Sequence, residues 1–152
     1  MNETDYSLLL AQAKSLTEDV PHFIANLANI AALIYNTLPD INWAGFYLAE
    51  ENELILGPFQ GRPACVVIPW GRGVCGTAAA KGETQLVPNV HEFSGHIACD
   101  SASNSEIVIP LHKNGRVVGV LDIDSPSFSR FSENDKNGLE ALATFLEAVV
   151  FA

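Results

Sequence analysis

Residues 106–125 read EIVIPLHKNGRVVGVLDIDS, and their reading decides the fold. Two runs rich in β-formers, 107–111 and 117–123, flank Lys113-Asn114-Gly115, the strongest hairpin signal in the chain. Residues opposite one another in a hairpin share a face, and a one-residue slip exchanges the faces, so the side chains choose the register. A two-residue Asn-Gly turn sets Ile107 against Asp122 and mixes polar with apolar. A three-residue loop with Gly115 in a left-handed bulge position puts Ile107, Ile109 and Leu111 on one face with Leu121 and Ile123. The sequence therefore predicts the second register, which gathers Glu106, Asp122 and Asp124 on the opposite face.

No Lys or Arg stands beside these three acids in sequence. Like charges a few ångströms apart resist joint ionisation, so one member is expected to stay protonated near neutrality. Such an acid can donate a proton to a developing oxyanion, while ionised neighbours attract a cationic group such as an ammonium. Two other readings stay open on spacing alone: the acids end a strand in solvent, or they hold a metal.

Working outward, apolar residues Phe23, Ile24, Leu27, Ile30, Ala31 and Ile34 recur at helical spacing within 20–38, with Asp19 as N-cap and Pro21 in the first turn. A strand over 43–48 and a second over 54–56 join through a polar turn at 50–53. Gly57, Pro58, Gly61, Pro63, Pro69, Gly71, Gly73 and Gly76 then punctuate the chain, leaving room for a strand at 64–68 and a helical turn at 74–81. A strand at 85–87 precedes 91–104, which has no period and reads as a site loop. At the C-terminal end Ser132, with Asp135 three residues on, caps a helix whose apolar face is Leu139, Leu142, Phe145, Leu146 and Val149. The predicted class is α+β: one domain over 1–152, with a helical extension at 1–19 and a core at 20–152. Its central, mostly antiparallel sheet carries the N- and C-terminal helices on one face.

Trp43 and Tyr47 stand four apart in a strand and point the same way, with Gly45 between them leaving a gap. They are either core or the aromatic walls of a site.

The chain has three cysteines, Cys65, Cys75 and Cys99. Cys99 lies in the aperiodic loop, next to Asp100 and three residues after His96, whereas an inert buried cysteine usually sits in a regular apolar element. It is the candidate nucleophile, with His96 or loop amides to stabilise its thiolate. Cys65 and Cys75 flank residues 69–73, and either can serve as resolving thiol. Zinc held by His91, His96 and the cysteines is the rival, although no Cys-x-x-Cys pair is present.

A chain of 152 residues, 48% hydrophobic, suffices for one real core. It contains no run near the ~20 apolar residues of a membrane span, and its N-terminus is polar and acidic. Eighteen acidic against eight basic residues give a net charge of −10, which disfavours nucleic acid as a partner. An odd number of cysteines without export signals reads as thiol chemistry in a reducing, cytoplasmic compartment.

Five segments carry a resemblance: NWAGFY at 42–47, GPFQG at 57–61, PWGRGVCGT at 69–77, GHIACDSASNSE at 95–106 and GVLDIDS at 119–125. Together they resemble the free methionine-(R)-sulfoxide reductases, enzymes built on a GAF domain, from about residue 20 to the C-terminus. The resemblance implies reduction of free L-methionine (R)-sulfoxide by a homodimer, with thioredoxin as reductant and neither metal nor organic cofactor. It implies Cys99 as nucleophile and Cys65 as resolving cysteine, and it matches Cys75 without settling its share in recycling. It implies Trp43, Tyr47, Glu106, Asp122 and Asp124 as the substrate site; in the mechanism expected here a protonated member of the acid cluster, with Glu106 and Asp124 as the catalytic candidates, protonates the departing oxygen. Val67 departs from the family pattern, where a basic side chain is expected. A GAF-type sensor that binds a ligand or registers oxidants without turnover is the alternative.

Overall fold

A computed structural model describes residues 3–95 and 102–152. The elements run α1 (Tyr6–Thr17), α2 (Phe23–Thr37), β1 (Trp43–Glu50), β2 (Glu53–Gly61), β3 (Val67–Pro69), α3 (Gly73–Lys81) and β4 (Gln85–Val87). A short 3-10 turn (Val90–Glu92), β5 (Ser105–Lys113), β6 (Arg116–Ser125) and α4 (Glu133–Val149) complete them. The six strands form one sheet in the order β3-β2-β1-β6-β5-β4. Every pairing in it is antiparallel.

The predicted hairpin pairing is present: Ile107 faces Ile123, Ile109 faces Leu121 and Glu106 faces Asp124. The device that sets it differs from the expected three-residue loop. Asn114 (φ 54°) and Gly115 (φ 76°) form a two-residue turn that closes Lys113 against Arg116. The register then shifts between Leu111 and His112, which face Gly119 and Val117, so Val118 is an extra residue on β6. That bulge restores the apolar pairing a tight turn alone would have destroyed.

α1, α2 and α4 cover one face of the sheet, packing Leu9, Leu27, Ile30, Ile34, Leu139, Leu142 and Leu146 against Phe46, Ile107, Ile109, Leu121 and Ile123. Each fully buried Leu, Ile or Phe contributes about 1.5–3 kcal/mol, so this layer is the main source of stability. The ring of Tyr6 seats on α4 at Gly138, where a Cβ would come within 2.1 Å of it, and its hydroxyl donates to Asp135. Asp135 completes the predicted capping box with Ser132 and pairs with Arg130 at 3.1 Å.

α2 begins later than its apolar spacing suggests. Asp19 is at φ 57° and does not cap; His22 occupies the N-cap position. Pro21 biases the residue before it toward extended backbone, which delays the helix to Phe23. Phe23 and Ile24, expected on the buried face, are exposed, while Asn26 is buried and donates to the Val20 carbonyl. β2 continues beyond the expected 54–56 because Gly57 and Pro58 sit where the register against β1 shifts. β3 is shorter than the expected 64–68.

α3 lies on the second face with Trp43, Tyr47, Val108 and Val120. This smaller layer holds the candidate site. No helix among the described residues is long and apolar enough to cross a membrane.

Candidate active site

Three neighbouring strands build the site's floor. Trp43 of β1 faces Asp124 of β6, which faces Glu106 of β5; two residues along, Gly45 faces Asp122, which faces Val108. Side chains two apart on a strand share a face, so one surface carries Trp43, Tyr47, Glu106, Asp122 and Asp124. A cavity of about 50 Å³ opens over them, lined also by Arg72, Val74 and Cys75 of the α3 region, by Pro63, Ala64 and Ile68, and by Ser103. Its volume exceeds the ~10–15 Å³ a single water needs.

The acids do not end a strand in solvent: Glu106, Asp122 and Asp124 are between 5% and 9% exposed. Burial is the main cause that raises Glu106 and Asp122 well above the usual carboxylate range, followed for Glu106 by the charge of Asp122 and for Asp122 by that of Asp124. Two unit charges 4 Å apart repel by about 4 kcal/mol at an effective dielectric near 20, so a shared proton is the lower-energy state. Asp122 Oδ1 is buried with no hydrogen-bond partner among the described residues, a cost that a bound donor would remove.

Cys75 enters from α3. A Cβ on its neighbour Gly76 would lie 2.5 Å from the Pro69 carbonyl, so the missing side chain lets the helix start press against that turn. Cys75 Sγ stands 3.8 Å from Glu106 Oε2. Burial, then the charges of Asp122 and Glu106, push its thiol upward, so it is a neutral thiol rather than a reactive thiolate. Ligand atoms of Cys75, Glu106 and Asp122 lie within 4.8 Å of one another. This oxygen-rich trio is not the His and Cys set weighed for zinc; His91 instead pairs its Nε2 with Asn104 Oδ1 at 2.8 Å.

Trp43 and Tyr47 do form one wall, but the gap expected at Gly45 is filled. A Cβ there would lie 2.3 Å from Phe59 Cβ, and Phe59 stacks on Trp43 with ring centroids 5.1 Å apart. Trp43 in turn stacks on Tyr47 at 6.0 Å. Trp43 Nε1 donates to the Arg62 carbonyl at 3.0 Å and the Tyr47 hydroxyl to the Cys65 carbonyl at 2.8 Å. Burial, then the charge of Asp122, keeps the Tyr47 phenol protonated.

Cys99 and His96, the expected nucleophile and its partner, lie outside the described residues. The sequence reading missed Phe59, Arg72 and Ser103. Arg72 immediately precedes α3, and the Gly-rich context that signalled a site loop was the available clue. Val67 is exposed on β3 and does not line the cavity.

A GAF domain model matches residues 22–150. With the antiparallel sheet and its helical cover, that match makes the chain a GAF domain of α+β class. It is 54% identical over 151 residues to the free methionine-R-sulfoxide reductase of Escherichia coli, covering 99% of this chain and 92% of that one. The substrate complex of fRMsr of Staphylococcus aureus superposes with a TM-score of 0.93 at 56% identity, covering 99% and 98% of the two chains. The free methionine-R-sulfoxide reductase from Neisseria meningitidis in complex with its substrate does so with a TM-score of 0.93 at 45% identity, covering 99% and 93%. The chain belongs to the free methionine-(R)-sulfoxide reductase family.

Proposed function

We propose that this protein reduces free L-methionine (R)-sulfoxide to L-methionine with cysteine thiols. The observation that carries the proposal is the buried acid cluster of Glu106, Asp122 and Asp124 under the Trp43–Tyr47 wall. A zwitterionic amino acid needs complementary charge at both ends of its backbone. Ionised carboxylates of the cluster take the ammonium, and Arg72 with the N-terminal end of α3 at Gly73 and Val74 takes the carboxylate. The aromatic wall receives the S-methyl end.

In the reaction, Cys99 thiolate attacks the sulfoxide sulfur while the proton retained by the Glu106, Asp122 and Asp124 cluster passes to the oxygen. The oxygen leaves with Cys99 as sulfenic acid, and methionine departs two electrons richer. The Cys65 thiol attacks the sulfenic sulfur, expelling water and forming a disulfide. A dithiol protein, thioredoxin, reopens it by exchange. Cys65 is disulfide-bonded in the structure whereas Cys75 is a free thiol, which supports Cys65 as the resolving cysteine. A homodimer in a reducing cytoplasm completes this reading. Substitution Cys99→Ser tests it: turnover should vanish with either thioredoxin or dithiothreitol, and undiminished turnover rejects the assignment.

A further inference from the structure

The segment Arg62 to Cys65 borders the cavity, with Pro63 and Ala64 lining it. Both its ends are tied to the aromatic wall. The Arg62 carbonyl accepts from Trp43 Nε1 at 3.0 Å, and the Cys65 carbonyl accepts from the Tyr47 hydroxyl at 2.8 Å. The donors are rigid, because Trp43 and Tyr47 are each 2% exposed and stacked, with Phe59 holding the far side of Trp43. The segment's approach is itself built in: Gly61 is at φ 131°, and a Cβ there would lie 2.6 Å from Trp43 Cδ1. An apolar ring at either position would line the cavity equally well, but it could not make these hydrogen bonds.

We propose that the polar ends of Trp43 and Tyr47 are positioning groups for Cys65, fixing its backbone beside the cavity so that its thiol attacks the sulfenic acid without a conformational search. This rests on the reading of Cys65 as resolving cysteine and adds a second task to two residues whose rings face the substrate. The step they assist is the condensation of the Cys65 thiol with the sulfenic acid, in which the S–S bond forms, the S–O bond breaks and water leaves. A neutral hydrogen bond is worth up to about 1.5 kcal/mol, so freeing the Cys65 carbonyl should slow that condensation up to about tenfold.

The test is a single-turnover reaction of reduced protein with the (R)-sulfoxide and a sulfenic-acid trap such as dimedone, read by mass as the ratio of trapped adduct to disulfide. That ratio is independent of how fast the sulfenic acid forms. Tyr47→Phe, which keeps the ring and its stacking, should raise it severalfold, up to about tenfold, and Trp43→Phe should shift it in the same direction. A purely structural role leaves the ratio unchanged while both variants lose thermal stability. A wild-type ratio in both variants overturns the positioning role. Cys65→Ser separates the two levels: complete trapping there with wild-type ratios in the aromatic variants removes the positioning role alone, whereas disulfide still forming in Cys65→Ser removes the resolving assignment and the positioning role with it.

Discussion

Cys75 Sγ lies 3.8 Å from Glu106 Oε2, so the start of helix α3 lays a thiol against an acid of strand β5 that is itself buried. Burial, then the charges of Asp122 and Glu106, raises the Cys75 thiol, and burial, then the charge of Asp122, raises Glu106. Cys75 is thus a weak nucleophile in the folded protein. Native protein treated with iodoacetamide at neutral pH should leave Cys75 unmodified by peptide mass mapping and modify it readily once denatured. Rapid native labelling contradicts the burial.

The raised acids give stability a definite pH dependence. An acid raised by folding binds its proton more tightly in the native state, so its contribution is fully present below the unfolded value of about 4 and is lost as pH rises through the raised folded value. Glu106→Gln and Asp122→Asn keep shape without ionising. Both should melt at higher temperature than the wild type at neutral and alkaline pH, with the gain shrinking toward about pH 4. Equal melting curves across that range would argue against forced burial of these groups.

Amide substitutions in the cluster also separate chemistry from stability. If the cluster supplies the proton, Glu106→Gln and Asp124→Asn slow reduction about 100-fold or more, even when dithiothreitol replaces thioredoxin. The wild-type rate should fall with rising pH as the retained proton is lost. Unchanged steady-state rates in both variants would reject the acid role.

Arg72 is tested through affinity. Removing its charge with Arg72→Gln should raise KM for the sulfoxide about tenfold and leave kcat nearly unchanged, the pattern of a group that binds ground and transition states alike. A fall in kcat at constant KM would place it in the chemistry instead.

Much of this architecture is written locally in the sequence, and its limits are physical. The apolar alternation through Ile107, Ile109, Leu121 and Ile123 is sufficient to fix register and hence the shared face of Glu106, Asp122 and Asp124. The turn is not fixed by it, because a tight Asn114-Gly115 turn plus a bulge at Val118 yields the same pairs as a longer loop. Helical spacing placed Phe23 and Ile24 with the core, although Pro21 and the late start of α2 leave them outside. The approach of Cys75 to Glu106 spans 31 residues and depends on α3 packing against the sheet, a long-range contact that no periodicity encodes. Arg72 and Ser103 reach the cavity from outside the helices and strands, so patterning is silent about them. The filling of the Gly45 gap by Phe59 likewise depends on a bulge between β1 and β2.

Epimer-specific turnover is read by following NADPH oxidation with thioredoxin, thioredoxin reductase and the separated sulfoxide epimers of free methionine. The (R) epimer should turn over and the (S) epimer should not, and Cys65→Ser should lose the thioredoxin-driven rate. Turnover of the (S) epimer alone, or binding of the (R) epimer without any NADPH consumption, would contradict the proposed function.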